Sequence, residues 1–116
     1  MRPHDVTART GLSRRQQRYC EQKGHLGVVE RSPSGERVFT REQVEFLERV
    51  AALRGVGINL EEAAAVAAEG TVGLPKVDHD RLKLLVARSF AETTRSLRAT
   101  VVLWEVMQGR VTQSDE

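Results

Sequence analysis

Arginines cluster in one short segment of this chain, at spacings that bring them onto one side of a helix. Arg14, Arg15 and Arg18 lie one, three and four residues apart, which gives an α-helix a broad basic face. The planar guanidinium binds phosphate oxygens and guanine edges through paired hydrogen bonds. The pattern therefore indicates nucleic-acid binding, and the alternative is an ordinary solvated helix surface.

Charge is distributed unevenly along the chain. The formal net charge is only +2, but residues 1–41 hold nine Lys and Arg against four Asp and Glu, whereas residues 42–116 hold nine against twelve. A basic end on a weakly acidic body is typical of proteins in which one end meets a polyanion. Arginine outnumbers lysine by fifteen to three, which suits phosphate contacts, although an arginine-rich coding bias gives the same ratio.

Composition excludes several classes of protein. The 116 residues suit one compact domain plus an appendage, and no apolar run is long enough to span a bilayer. The first ten residues lack the apolar centre of a secretory signal, so we expect a cytoplasmic protein. The single cysteine, Cys20, cannot form an internal disulfide, and we predict no cofactor or metal site. No nucleophile with its base, paired carboxylates or phosphate-binding glycine loop is recognisable, so we do not predict an enzyme.

Two helices joined by a tight turn must position the basic face. His4 or Asp5 can cap a first helix that runs to Thr10, where Gly11 breaks it. The turn that follows leads directly into the arginine segment.

The second helix is predicted from Arg14 to about Lys23. Ser13 and Gln16, three residues apart, form a capping box at its start. Its sequence is polar, and only Tyr19 and Cys20 are obvious core candidates. A helix this polar buries little surface by itself.

A small hairpin and two further helices follow. Val28 to Arg31 and Glu36 to Phe39 are β-prone, and the intervening Ser-Pro-Ser-Gly supplies turn residues. A second capping box opens a helix from Arg41 to about Arg54, and an alanine-rich helix is predicted from Leu60 to about Ala68. The apolar stripe of the longer helix consists of Val44, Leu47, Val50, Ala51 and Leu53.

The last predicted helix is too long for one small domain to cover. Asp78 can cap it, and no Gly or Pro occurs until Gly109, so it runs to about Gln108, roughly 46 Å at 1.5 Å per residue. Apolar and threonine residues recur along it at steps of four and three, which is a heptad seam. We expect an antiparallel pairing with a second copy; the alternative is that the helix folds back on its own domain. The seam residues are Val86, Phe90, Thr93, Leu97, Thr100, Trp104 and Met107.

Four segments in this order resemble the MerR family of bacterial transcription regulators. They are VTARTGLS at 6–13, RY at 18–19, GERVFT at 35–40 and GINLEE at 57–62. The resemblance covers about residues 6–68 and implies a mostly α fold, with a winged helix-turn-helix domain over 1–69 and a dimerisation helix at 78–109. Composition predicts a linker at 70–77 and a disordered tail at 110–116. The resemblance also implies that the long helix forms the family's antiparallel coiled coil.

The resemblance implies roles for individual residues. The second helix enters the major groove, where Arg15 reaches base edges. Arg14 either reads bases as well or only positions the helix. Arg18 and Tyr19 match positions that hold the phosphate backbone. On the hairpin wing, Arg31 and Arg37 contact the backbone or minor groove. For Arg9 and Arg41, backbone contact and ordinary surface charge stay equally open, and a solvated face is the alternative for the whole arginine set.

Some residues depart from the family pattern. Gln17 stands where the family has an apolar residue, and Cys20 stands where it has a second aromatic, so we expect the second helix to pack more loosely or to sit at a shifted angle. We expect no recognisable effector domain after the long helix. We interpret the triplet at 78–80 (Asp-His-Asp) as a helix cap, and metal binding is the alternative. We interpret Cys20 as an inert buried thiol, and a redox switch is the alternative.

The sequence thus predicts a homodimeric, sequence-specific regulator of a palindromic promoter. The resemblance implies that it acts by bending and untwisting DNA, with double-stranded DNA, a second copy of itself and RNA polymerase as partners. Two alternatives stay open: an architectural or excisionase-like DNA-bending protein, and a protein-interaction adaptor.

Overall fold

The computed structural model describes residues 1–71 and 73–109. It is mostly helical with one two-stranded sheet, as the sequence predicts, and residues 1–79 form one compact unit while the described residues from Asp80 onward form a second. No helix among the described residues is long and apolar enough to cross a membrane. The predicted tail, 110–116, lies outside the described residues. In chain order the elements are α1 (Pro3–Thr10), α2 (Arg14–Gln22), β1 (Glu30–Arg31), β2 (Arg37–Val38), α3 (Arg41–Gly55), α4 (Leu60–Glu69) and α5 (Lys76–Met107).

Helix α1 begins earlier than the sequence suggested, so the predicted cap at His4 or Asp5 is wrong. Arg2 is the N-cap and Pro3 is the first helical residue, a position at which the missing N–H of proline costs nothing. Asp5 instead accepts a hydrogen bond from the Arg2 backbone N–H at 3.4 Å. Gly11 ends the helix with a φ of +83°, a conformation that glycine adopts without strain.

Helix α2 contradicts the expectation of a loosely packed recognition helix. Gln17 is only 1% exposed and joins Cys20 in the core, whereas Tyr19, a predicted core residue, is half-buried. The Gln17 amide Nε2 donates to the Pro3 carbonyl oxygen at 3.2 Å and to the Leu12 carbonyl oxygen at 3.0 Å. A polar residue at this position therefore links α2 to α1 and to the turn between them.

The hairpin, which we call the wing, is shorter than predicted. Its strands pair Glu30 with Val38 and Arg31 with Arg37, so each strand has only two residues. Phe39 leaves the hairpin because its backbone N–H and C=O bond to Met1, at 2.8 and 2.9 Å. So short a hairpin is marginal by itself and needs contacts with the rest of the domain.

Helix α3 is the centre of the core. The predicted capping box is present, since Thr40 Oγ1 accepts from the Gln43 N–H and Gln43 Oε1 accepts from the Thr40 N–H. Phe46, absent from the predicted stripe, is buried, whereas Ala51 and Leu53 are only half-buried. The buried residues of α3 and of α4, which pack together, are Gln43, Val44, Phe46, Leu47, Val50, Ala63, Ala64 and Ala67.

Helix α5 begins two residues before the predicted cap. The backbone N–H groups of Asp78 and His79 both donate to the Pro75 carbonyl oxygen at 3.0 Å, so Asp78 lies in the first helical turn and does not cap it. Its 32 residues span about 48 Å at 1.5 Å per residue. Every predicted seam residue is exposed; Phe90 is 73% exposed and Leu97 62%.

Candidate nucleic-acid interface

The capping box at the start of α2 fixes the basic face at the surface. Ser13 Oγ accepts from the Gln16 N–H at 3.1 Å, and Gln16 Oε1 accepts from the Ser13 N–H at 2.8 Å. Arg14, Arg15 and Arg18 then follow with exposed side chains, whereas Gln17 between them is buried. The inner face is thus held by hydrogen bonds while three guanidiniums stay available to a ligand.

A cleft separates α2 from the wing and brings part of the predicted site together. Its volume is about 220 Å³. Arg14 and Arg18 reach it from α2, and Arg37 reaches it from β2. Arginine side chains can donate charge-assisted hydrogen bonds to phosphate oxygens, so three arginines around one cleft suit an anionic ligand. Pro3, Gln17, Gly35 and Glu36 complete the lining of the cleft.

The wing arginines share one carboxylate on α2. Arg37 Nε donates to Glu21 Oε1, and Arg31 Nη2 lies 3.6 Å from Glu21 Oε2. Glu21 and Arg37 are mostly buried in this contact, with 20% and 22% of their side chains exposed. Glu21 was not among the predicted site residues, although it is one of only four acidic residues in the basic segment 1–41.

A second acidic residue lies at the rim of the cleft. Glu36 Oε2 accepts from Arg2 Nη1 at 2.6 Å, and its other oxygen lies 3.9 Å from His4 Nδ1. These contacts tie the turn of the wing to the start of α1. The Arg2–Glu36 pair is largely exposed, so it stabilises the fold by about 1 kcal/mol or less.

The remaining predicted residues lie around this cleft or apart from it. Arg15 is exposed on α2 and does not line the cleft. The Tyr19 ring lies under Lys23, with 5.7 Å between Nζ and the ring centroid. Arg9 pairs with Glu48 at 2.7 Å. Arg41 is almost fully exposed and pairs with Glu45 at 3.5 Å.

Cys20 is a packing residue behind the basic face. Its side chain is fully buried, and desolvation raises the pKa of the thiol to about 11. Since the thiolate is the reactive form, the thiol is inert at neutral pH. In the described part of the chain, no group of three His, Cys, Asp or Glu side chains is arranged to hold a metal ion. The triplet at 78–80 is therefore not such a group.

Comparison with known proteins relates the sequence to transcription regulators. A family model described as MerR HTH family regulatory protein matches residues 1–69. The nodulation protein NolA of Bradyrhizobium elkanii is 33% identical over 88 residues, which are 73% of this chain; the chain spans about 40% of the length of NolA.

Two solved structures share the fold. HiNmlR, a MerR family regulator lacking the sensor domain and bound to promoter DNA, is 20% identical with a TM-score of 0.51, covering 93% of this chain and 90% of that one. A MerR family transcriptional regulator from Bacillus thuringiensis is 17% identical with a TM-score of 0.50, covering 93% and 97%. Because the family match takes in more than half of the chain and includes α1, α2, the wing, α3 and α4, this protein belongs to the MerR family of helix-turn-helix regulatory proteins.

Proposed function

We propose that this protein is a homodimeric transcription regulator that binds a two-fold symmetric promoter site in a sequence-specific way. The observation that carries the proposal is the cleft at which Arg14, Arg18 and Arg37 meet, beside the exposed Arg15. Phosphate contacts set the register of a helix on DNA, and a neighbouring side chain in the groove can then read bases. The chain offers both kinds of group on one helix.

In this proposal the residues have separate tasks. Arg15 reads base edges in the major groove, with Arg14 reading or positioning beside it. Arg18 and Tyr19 hold the phosphate backbone through a guanidinium and a phenol. The wing residues Arg31 and Arg37 contact the backbone or minor groove beside the half-site.

The exposed seam of α5 supports a dimer. Phe90, Leu97 and Trp104 are each more than half exposed, on a helix of about 48 Å that also exposes Leu103 and Met107. A water-soluble monomer rarely leaves so long an apolar stripe uncovered. A second α5 running antiparallel covers the stripe and carries the two DNA-binding units to opposite ends of the helix pair.

Such a dimer couples binding to the shape of the DNA. The distance between its two reading helices is set by the protein, so a site whose half-sites do not match it must bend or untwist. We propose that this distortion changes how RNA polymerase meets the promoter. Replacing the central base pairs of a bound site with a stiff A-tract should then weaken binding, although the protein touches none of those bases.

Two measurements test the proposal. Sedimentation should give twice the mass of the chain for the wild type and the monomer mass for Leu97→Arg, which puts a charge in the seam; a wild-type monomer at every concentration contradicts the dimer. In DNA titrations at several salt concentrations, Arg18→Ala should flatten the slope of log K against log salt by about 0.9 for each lost phosphate contact. Arg88→Ala removes the same charge from the exposed surface of α5 and should leave that slope unchanged; equal slopes for both variants contradict the assignment.

A further inference from the structure

We propose that Glu21 is a positioning residue for DNA binding, which holds the wing against α2 and aims the Arg37 guanidinium into the cleft. The proposal rests on the proposed function, because it names the residue on which one of the DNA contacts depends. Nothing in a sequence search for basic residues identifies Glu21, since it carries the same negative charge as the DNA.

The strand pairing in the wing places two arginines side by side, and the Glu21 carboxylate pairs with both. Arg31 and Arg37 lie directly opposite each other across the hairpin, and like charges at opposed positions destabilise a strand pair. Glu21 gives one oxygen to each: Oε1 accepts from Arg37 Nε, and Oε2 lies 3.6 Å from Arg31 Nη2. The Glu21 carboxylate therefore offsets the repulsion between the two arginine side chains and joins both strands of the wing to α2.

The same contact leaves the far edge of the Arg37 guanidinium for a ligand. Its Nε is bound to Glu21, while the side chain lines the cleft together with Arg14 and Arg18. A planar guanidinium held at Nε keeps its two terminal nitrogens in a fixed direction, so less conformational entropy is lost when it binds a phosphate. The other wing contact nearby, between Arg2 and Glu36, is more exposed and holds the turn instead.

Removing the charge of Glu21 changes DNA affinity in opposite directions, depending on whether Glu21 acts only through its charge or also positions Arg37. If Glu21 acts only as a negative charge on a DNA-binding face, Glu21→Gln should tighten binding to every duplex. If it positions Arg37, the same variant should bind about tenfold more weakly per half-site, the size expected for one charge-assisted hydrogen bond. Its salt slope should fall by about 0.9 per subunit although no positive charge has been removed.

The experiment compares Glu21→Gln with Glu30→Gln, a matched control. Glu30 is an exposed residue of β1, so its variant removes the same charge from the wing without breaking the contact with α2. The duplex has 30 base pairs and carries either an inverted repeat selected by the wild type from a random library or a mixed sequence. On it, Glu21→Gln should match Arg37→Gln in affinity and slope, and the double variant should be no weaker. Glu30→Gln should bind as tightly as the wild type or more tightly. Equal behaviour of the two glutamine variants would overturn the proposal.

A second readout does not depend on DNA. The amide groups of Ser32 and Gly35 bond within the turn of the wing, to Glu36 and Ser32 carbonyl oxygens at 2.7 and 2.8 Å. Their hydrogen exchange should be about tenfold faster in Glu21→Gln than in Glu30→Gln, and unchanged exchange contradicts the positioning role. If the wild type binds no duplex, the proposed function fails and the exchange rates alone decide on Glu21. If Glu21→Gln does not fold, Glu21→Asp keeps the charge but shortens the reach: weaker binding then supports positioning, and wild-type binding overturns it.

Discussion

Replacing Gln17 by glutamate tests the polar link between α1 and α2 with almost no change in shape. The Gln17 amide Nε2 faces three acceptors: the Pro3 carbonyl oxygen at 3.2 Å, Thr7 Oγ1 at 2.9 Å and the Leu12 carbonyl oxygen at 3.0 Å. Among the described residues its Oε1 is buried without a hydrogen-bond partner. Gln17→Glu therefore removes the donors and directs a carboxylate at three oxygens.

The size of the effect follows from these contacts. Because the side chains are nearly isosteric, no cavity forms, and the cost comes from the lost hydrogen bonds and from a buried charge without a partner. Leaving a buried charge uncompensated costs about 3–5 kcal/mol, a large part of the roughly 5–15 kcal/mol that stabilises a small domain. We expect Gln17→Glu to lower the free energy of unfolding by about 3–5 kcal/mol at pH 7.

The loss should depend on pH in one direction. Burial without a partner raises the pKa of the introduced carboxyl above its unfolded value of about 4.3. The folded variant then binds its proton more tightly than the unfolded chain does, so the penalty grows as the pH rises from about 4 through the folded pKa. At acid pH the neutral acid can still donate one hydrogen bond, and the cost should fall to about 1–3 kcal/mol.

Urea unfolding followed by circular dichroism, at one protein concentration and at several pH values, measures this difference. Gln22→Glu is the matched control, because Gln22 is exposed at the end of α2 and its variant should stay within about 0.5 kcal/mol of the wild type. Gln17→Met, apolar and of similar length, should lose about 1–3 kcal/mol with no added pH dependence. A Gln17→Glu protein as stable as Gln22→Glu at every pH would refute the buried amide link.

Three further predictions concern the thiol, the cap of α2 and the core. Because burial raises the Cys20 thiol pKa to about 11, the buried neutral thiol contributes its full share to the free energy of unfolding below pH 8 and loses it as the pH rises through 9 towards 11. Over that range the free energy of unfolding should fall by about 2–3 kcal/mol more in the wild type than in Cys20→Ala. Parallel curves for the two proteins would contradict this. Ser13→Ala should cost about 1 kcal/mol in thermal unfolding, and no shift in Tm would mean that the capping box does not stabilise α2. Leu47→Ala, at a fully buried site, should cost about 2–5 kcal/mol in denaturant unfolding, while Leu84→Ala, at an exposed site, should cost less than 0.5; similar values would place Leu47 outside the core.

The order of elements could be predicted because its signals are local. Each capping box joins a residue to another three positions along the chain, so Ser13 and Thr40 mark the starts of α2 and α3 in any tertiary context. The end of α1 at Gly11 is equally local, since a left-handed residue suits glycine. The start of α5 was misread because Asp78 matches a cap preference, whereas Pro75 already supplies the acceptor for the first turn.

The contacts that shape the candidate interface could not be predicted in the same way. Gln17 is buried because three oxygens of α1 and the following turn surround its amide, and a residue scale that counts glutamine as polar gives no sign of this. One signal was present: Gln17 and Cys20 lie three residues apart, so both fall on one side of α2. Glu21 meets Arg37 across sixteen positions of sequence, a contact that exists only once the wing is folded.

The central claim is that two copies of this chain read a symmetric DNA sequence through α2. Selection from a random duplex library at near-physiological salt tests it most directly, with the wild type and Arg15→Ala run side by side. We predict an enriched inverted repeat for the wild type, and loss of preference at the bases that Arg15 reads, while residual binding persists in the variant. Retained DNA without any motif, or the same motif at full strength in Arg15→Ala, would contradict the claim.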